Sequence, residues 1–359
     1  MPESSIVVRP EPIGSDRYTE SSRLQAAGLS TAISFFEESA QTVPLPPAPQ
    51  PIVIADYGAA TGHNSLLPIA AALKKLRART RSEHAVLVAH TDVATNNFTA
   101  LFQTLSEDPD SYLRHDPATF ASAVGRSFYS QILPSDSVTL GWSSYACHWL
   151  SSAPGPVPGH VQVAYCQDEA VKAAYARQAA LDWHEFVAFR GRELCPGGRL
   201  VVLTMAIDED GGFGYRLLLD AIVEALRTLR EGGFISESEQ ARMSIPVVGR
   251  SAKDFLAPFA PRGRFEDLAV DRVEVFRGED RAWSRYQVDH DEAAFGAQWA
   301  SFSRLSVFPA LAAGLDGDPA RHVEFLDRLE RDVATRIAAA PEPMLIPLAA
   351  VVLNKRGRG

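Results

Sequence analysis

Short, almost wholly apolar runs alternate along this chain with longer stretches in which apolar residues recur every third or fourth position. These are the respective marks of buried strands and of helices with one buried face. The first periodic stretch, Tyr18 to Ser39, places Leu24, Ala27, Leu29, Ile33 and Phe36 along one side of a helix, which the Pro-rich run Pro44 to Pro51 ends. Ile52 to Tyr57 then reads as a strand, followed by a Gly-rich turn and a helix from about Asn64 to Arg79. The order returns with Ala85 to Thr91 as strand and Thr95 to Ser106 as helix, and Ser137 to Trp142 adds another strand. A long helix, Glu169 to Leu194, stops at Pro196, Gly197 and Gly198, and Arg199 to Ala206 forms the strand after it.

Strands alternating with helices predict an α/β fold: a largely parallel sheet flanked by helices, joined by right-handed crossovers, with ligands at the carboxyl ends of the strands. Beyond residue 206 the rhythm changes. Residues 207 to 262 hold a loop with Gly211, Gly212 and Gly214, a helix to about Arg230 and a shorter one near Ala252 to Phe259, which together read as a mostly helical cap. Two strand candidates remain, Phe265 to Phe276 and Leu345 to Asn354. They complete the sheet within a segment spanning 263 to 359, one of them antiparallel, with cap helices inserted at 290 to 340. Residues 1 to 16 read as a flexible arm and 17 to 206 as the ligand-binding core; no internal repeat is present.

A chain of 359 residues accommodates one large core with a cap. Its formal charge of -9 disfavours nucleic acid as a partner, because duplex binding relies on Lys and Arg neutralising phosphates. Cys147, Cys166 and Cys195 have no CxxC spacing, so neither a disulfide framework nor a zinc site is indicated, and they fit a reducing, cytoplasmic setting. The N-terminus, with Glu3, Arg9 and Glu11, lacks the apolar run of a secretion signal. The most apolar stretch, Met344 to Leu353, is about half the ~20 residues of a spanning helix, so no membrane span is expected and the stretch reads as a buried strand.

The strongest local chemical signal is Ile52-Val-Ile-Ala-Asp56-Tyr-Gly58-Ala-Ala-Thr-Gly62-His-Asn64. Glycines let backbone approach a ligand closely, and the helix that follows offers free N–H groups to an anion. Asp92, at the end of the next strand, can accept hydrogen bonds from ribose hydroxyls; its bland alternative is an N-cap for the 95 to 106 helix. A nicotinamide fingerprint expects its acid about 20 residues past the glycines, whereas Asp92 lies 30 past Gly62, which disfavours an oxidoreductase. Ser143-Ser-Tyr145-Ala-Cys147-His148-Trp149-Leu-Ser151 follows the Trp142 strand, so its aromatic side chains fall at the ligand edge. From composition alone, Tyr145 and Trp149 read equally as one buried helical face, with His148 a core residue. Gly141-Trp-Ser143-Ser-Tyr lacks the second glycine of a serine-hydrolase elbow, and Cys147 beside His148 reads as a bystander rather than a nucleophile.

Several separated segments, in order, resemble the SABATH methyltransferases, the salicylate, jasmonate and caffeine-pathway family. Tyr18-Thr-Glu-Ser-Ser22-Arg-Leu-Gln25 is similar to the family's SYAxNSxxQ, and Ile54 to Ser65 to its ADLGCSSGPNT. Ser127-Phe128-Tyr129 resembles GSFY, Ser143 to Ser151 resembles HSSYSLHWLS, and Pro196 to Leu200 resembles PGGRM. The matches span residues 17 to 205, with a fainter one at Ile245-Pro246. The resemblance implies a Rossmann-like class I methyltransferase sheet and S-adenosyl-L-methionine as cofactor, leaving S-adenosyl-L-homocysteine. It implies that Tyr18, Ser22, Gly58, Ala59, Asn64, Asp92, Val93, Ser127 and Phe128 surround the cofactor, with Asp56 closing the glycine turn near the methionyl end. Gln25 and Trp149 would hydrogen-bond the acceptor's carboxylate as positioning donors, and Tyr145 and His148 would line its pocket. His63 replaces the family's usual proline and Ala59 its cysteine. Ser244 stands where an asparagine often precedes Ile-Pro in members with a surface magnesium site, so no metal is expected.

The activity implied is esterification of a small or fatty carboxylic acid, aliphatic before aromatic, with no general base because such acids are ionised at neutral pH. The family tendency is a homodimer. Competing readings are an N-methyltransferase on a small heterocycle, a nicotinamide oxidoreductase, and a cofactor-binding scaffold without turnover.

Overall fold

The computed structural model describes residues 28–357. Seven strands form one sheet in the order β3-β2-β1-β4-β5-β7-β6. They are β1 (Ile52–Tyr57), β2 (Val86–Asp92), β3 (Thr119–Gly125), β4 (Val138–Ser144), β5 (Leu194–Met205), β6 (Leu268–Arg277) and β7 (Pro347–Lys355). β1 through β5 pair in parallel, and β7 runs antiparallel to both β5 and β6. The chain winds from β1 outward to β2 and β3, then returns to place β4 and β5 on β1's other side. The order therefore reverses between β1 and β4, where open α/β sheets bind ligands.

Helices α1 (Leu29–Thr42), α2 (His63–Arg77) and α3 (Phe98–Glu107) contribute to one apolar layer, and α4 (Glu169–Glu193) to another. Ile52 and Ile54 of β1 pack with Phe36 and Leu66 in the first layer, whereas Ala55 and Tyr57 pack with Trp183 and Phe186 in the second. β7 divides in the same way: Leu348, Ala350 and Val352 join the first layer and Ala349, Val351 and Leu353 the second. A strand covered on both faces has no polar side to show, which is why Met344 to Leu353 is so apolar. Among the described residues no helix is long and apolar enough to cross a membrane.

A third core holds α5 (Arg216–Glu231), the Ile235 and Met243 that flank α6 (Glu237–Arg242) and, after α7 (Ala252–Leu256), helices α8 (Arg281–Asp289), α9 (Glu292–Ser306), α10 (Phe308–Ala312) and α11 (Pro319–Ala339). Ile222, Trp299, Phe308, Phe325 and Leu329 are buried together there. This cap lies against Met205 and Ile346, at one end of β5 and beside the start of β7.

Three local readings need correction. The strand β3 was not anticipated: its sequence TFASAVG is short and mostly half-exposed, because an edge strand has a neighbour on one side only. Pro196 to Gly198 do not separate helix from strand. β5 starts at Leu194, and the pairing jumps from Val138 with Leu194 to Leu140 with Arg199, so Cys195 to Gly198 form a bulge. Finally, Ala252 to Phe259 does not pack as cap, since Phe255 and Phe259 are buried beside Trp183 in the sheet's second layer.

Candidate functional site

The turn after β1 is held from both sides. Gly58 and Gly62 take positive φ, +86° and +82°, and so does Ala60 at 47°, a region that favours glycine. A Cβ on Gly58 would lie 2.3 Å from the Ala146 Cβ and 3.5 Å from the Phe128 ring, so the turn, the segment after β4 and the segment after β3 meet at one point. The amides of Gly58 and Ala59 both donate to the Thr91 carbonyl, at 2.9 and 3.0 Å. Asp92 accepts from the Ala60 amide at 2.7 Å through Oδ2 and from the Val93 amide at 2.8 Å through Oδ1. Asn96 donates to the Ala60 carbonyl at 2.8 Å.

Asp92 therefore does not cap the next helix; Asn97 does, accepting from the Ala100 amide at 3.0 Å. Burial pushes the Asp92 carboxyl above its ordinary range, with the two amides opposing the shift. Of the about four acceptor sites on a carboxylate, two are used, which leaves capacity for the hydroxyls of a sugar. The start of α2 has no side-chain cap on Gly62 and no acidic residue of its own in its first turn, an arrangement whose dipole suits an incoming anionic group; the Asp108 carboxylate lies 3.3 Å from the His63 ring beside it. Asp56 lies beneath the turn, 1% exposed. Its Oδ2 accepts from the Ser65 hydroxyl at 2.6 Å and is 2.7 Å from His90 Nδ1, whose Nε2 is 2.7 Å from the Tyr112 hydroxyl. It ties β1 to α2 and β2. Asn64, the second residue of α2, is half-buried.

Ser127 and Phe128 belong to the segment after β3, which sequence reasoning placed only by resemblance. Ser127 is exposed and accepts from the Tyr129 amide at 3.3 Å. A buried ion pair holds the segment: Arg190 Nη2 lies 2.8 Å from Glu193. Arg190 donates to the carbonyls of Phe128 and Ser130 at 2.7 and 2.9 Å, while Glu193 accepts from the Ile132 amide at 2.6 Å and the Tyr57 hydroxyl at 2.8 Å. The Arg190 guanidinium also lies 4.3 Å from the centre of the Tyr57 ring.

The segment after β4 is a turn, not a helix, so the helical-face reading of Tyr145 and Trp149 fails. Tyr145 takes φ 52°, and with His148 and Trp149 it lines a mainly apolar cavity of about 100 Å³. Much of its remaining wall comes from the cap, among it Phe213, Tyr215, Trp299 and Phe302. Gly28 lines the same cavity; a Cβ there would lie 2.3 Å from the Tyr145 hydroxyl. Tyr18, Ser22 and Gln25 lie outside the described residues. Burial, reinforced by the Arg250 charge, lowers His148 to about 3, so the imidazole is neutral at pH 7. Burial raises the Cys147 thiol to about 11, and its sulfur lies 3.5 Å from the Ser143 hydroxyl; this is no activated nucleophile.

Gln162, Met205, Ile245 and Leu348 also line the cavity and were missed. Only Ile245, inside the faint Ile-Pro match, carried a signal. The others arrive from distant elements and have no motif.

A family model described as SAM dependent carboxyl methyltransferase matches residues 10–354. The S-adenosyl-L-methionine:benzoic acid/salicylic acid carboxyl methyltransferase 2 of Petunia hybrida is 27% identical over 243 residues, covering 64% of this chain and 67% of its own. Anthranilate O-methyltransferase 1 of Zea mays is 24% identical over 371 residues, covering 95% and 94%. The solved structure of a loganic acid methyltransferase with SAH aligns with a TM-score of 0.78 at 20% identity, covering 98% and 99% of the two chains, a likeness that shows the fold.

Proposed function

This chain belongs to the SAM-dependent carboxyl methyltransferases, and from that premise we propose that its site esterifies an aliphatic carboxylic acid, with Trp149 and Gln25 aiming the carboxylate. The observation that carries the reading is the junction of two features at the β1/β4 reversal. One is a glycine turn locked by Asp92; the other is a mainly apolar cavity walled by Tyr145, His148 and Trp149.

S-adenosyl-L-methionine, when bound, supplies a methyl group activated by a positive sulfonium. The Gly58 to Asn64 turn and the start of α2 would hold its methionyl end, Asp92 its ribose, and Ala59, Val93, Ser127 and Phe128 the rest; the family resemblance assigns Tyr18 and Ser22 to the same cofactor. Asp56 acts from beneath, keeping the turn in place through Ser65 and His90.

A carboxylic acid of pKa about 4 to 5 is already ionised at neutral pH, so no residue needs to take its proton. His148 is uncharged there and burial raises the Tyr145 hydroxyl above its usual range, so both keep their protonation states through the reaction. The chain's task is orientation and exclusion of water: opposite charges that cancel on transfer are better solvated in water before transfer than during it, so an enclosed apolar pocket helps. The indole N–H of Trp149 and the Gln25 amide suit a carboxylate because both donate hydrogen bonds.

Acceptor length is set at the cavity's wall. Gln162 and Phe213 line both the cavity and a neighbouring groove of about 560 Å³ whose lining is mainly apolar. A short acid fits inside; a longer tail reaches the groove past Phe213, which supports aliphatic or fatty acids over flat aromatic ones. The test is methyl transfer from labelled cofactor to acids of increasing chain length, benzoates and purines. Transfer to aliphatic acids is expected, and transfer to purine nitrogen alone would replace this reading with N-methylation. We also propose a cytoplasmic homodimer that takes no nucleic acid, tested by light scattering with and without duplex DNA.

A further inference from the structure

Cys147 to Ser151 carries His148 and Trp149 and is neither helix nor strand; one isolated antiparallel bridge, with the Val248 amide donating to the His148 carbonyl and the Leu150 amide to the Pro246 carbonyl, both at 2.9 Å, pairs its middle and leaves its two ends to be held by other means. Two buried charged-type side chains grip it from behind the cavity, whose walls include His148 and Trp149 but neither Asp182 nor Arg250; Arg250 also lines the neighbouring groove, and Asp182 lines neither space. Arg250, 2% exposed, donates through Nη1 to the Cys147 carbonyl at 2.5 Å. Its Nη2 and Nε donate to the Ala179 carbonyl of α4 at 2.9 and 3.3 Å. Asp182, 0% exposed and nearly one turn further along α4, accepts from the Ser151 amide at 2.8 Å and the Ser151 hydroxyl at 2.6 Å. Gln178 steadies it, donating to Asp182 Oδ1 at 2.9 Å. Between the two grips, the Tyr129 hydroxyl donates to the Trp149 carbonyl at 2.6 Å.

A guanidinium is always charged and costly to bury, and this one directs its donors at main-chain carbonyls. Both contacts anchor the same short segment to the same stretch of one rigid helix. We propose that Asp182 and Arg250 are positioning residues that clamp the two ends of the acceptor-reading segment and so set where Trp149 points. The inference rests on the reading that Trp149 addresses the acceptor.

The test uses the full-length enzyme and the variants Asp182→Ala, Asp182→Asn, Arg250→Gln and the milder Ser151→Ala. Asp182→Ala and Arg250→Gln are expected to lower kcat/KM for the preferred acid at least tenfold while S-adenosyl-L-homocysteine affinity stays within twofold. Asp182→Asn, which keeps one acceptor oxygen, should recover part of the loss, and Ser151→Ala should show a smaller shift in the same direction if the others fail to fold. Independently of any acceptor, the indole ¹⁵N–¹H resonance of Trp149, assigned with Trp149→Phe, should move or broaden in each folded variant. An unmoved indole resonance, or acceptor and cofactor affinity falling in step, overturns the clamp. Absence of transfer to any acid by the unaltered enzyme would instead sink the proposed function, leaving the resonance test to decide the clamp.

Discussion

The carboxylate of Asp92 spends one oxygen on the Ala60 amide and the other on the Val93 amide, so it is oriented before any ligand arrives. Replacing it by Asn puts an NH2 group against one of those donors and removes a charged acceptor. Hydrogen bonds to charged groups are worth about 1.5 to 3 kcal/mol, so S-adenosyl-L-homocysteine should bind roughly ten- to a hundredfold more weakly to Asp92→Asn by calorimetric titration. Unchanged affinity would remove Asp92 from the site. His148 makes a prediction about stability. Its folded pKa is depressed from 6.5 to about 3 by burial and then by Arg250. The unfolded chain therefore binds a proton between those values that the folded chain does not, and stability falls as pH drops below 6.5, by at most about 1.4 kcal/mol per pH unit. Denaturant unfolding between pH 7 and 4 should show a shallower loss for His148→Gln than for the unaltered protein; equal slopes would refute the assignment.

Among elements, the β1 turn and the segment after β3 depend on partners far away in sequence. Arg190 and Glu193, both fully buried, tie Phe128, Ser130, Ile132 and the Tyr57 hydroxyl to the end of α4. Removing one member of such a pair leaves the other buried and unpaired, which costs about 3 to 5 kcal/mol. Arg190→Met should lower the thermal midpoint accordingly, while Arg190→Met with Glu193→Gln should be less destabilised than the sum of the single changes. Strict additivity would mean that the pair is not coupled. At this scale the sequence was readable where periodicity was strong: β1, β2, β4, α2, α4 and β7 lie close to where apolar runs and Pro or Gly stops put them. It failed at β3, where TFASAVG is too small and half-exposed to stand out, and at Pro196 to Gly198, where a bulge within β5 uses the residues that ordinarily end a helix.

For the whole molecule, what matters is how cap and sheet meet. Phe213, from the Gly-rich loop before α5, stands at a wall shared by cavity and groove. Phe213→Ala should join the two spaces and shift acceptor preference toward longer acids, read as the ratio of kcat/KM for long over short chains. An unchanged ratio would show that the tail takes another route. The chain alone determined the α/β alternation, the glycine turn with Asp92 beyond it, and the ordered motifs of its family, because each of these is written within a few adjacent residues. Only the tertiary structure decided that Gln162, Met205, Phe213, Ile245 and Leu348 share one cavity with Tyr145, and that Arg250 reaches Cys147 across 103 positions. Such meetings follow from side-chain packing between distant elements, and packing leaves no periodic trace along the sequence.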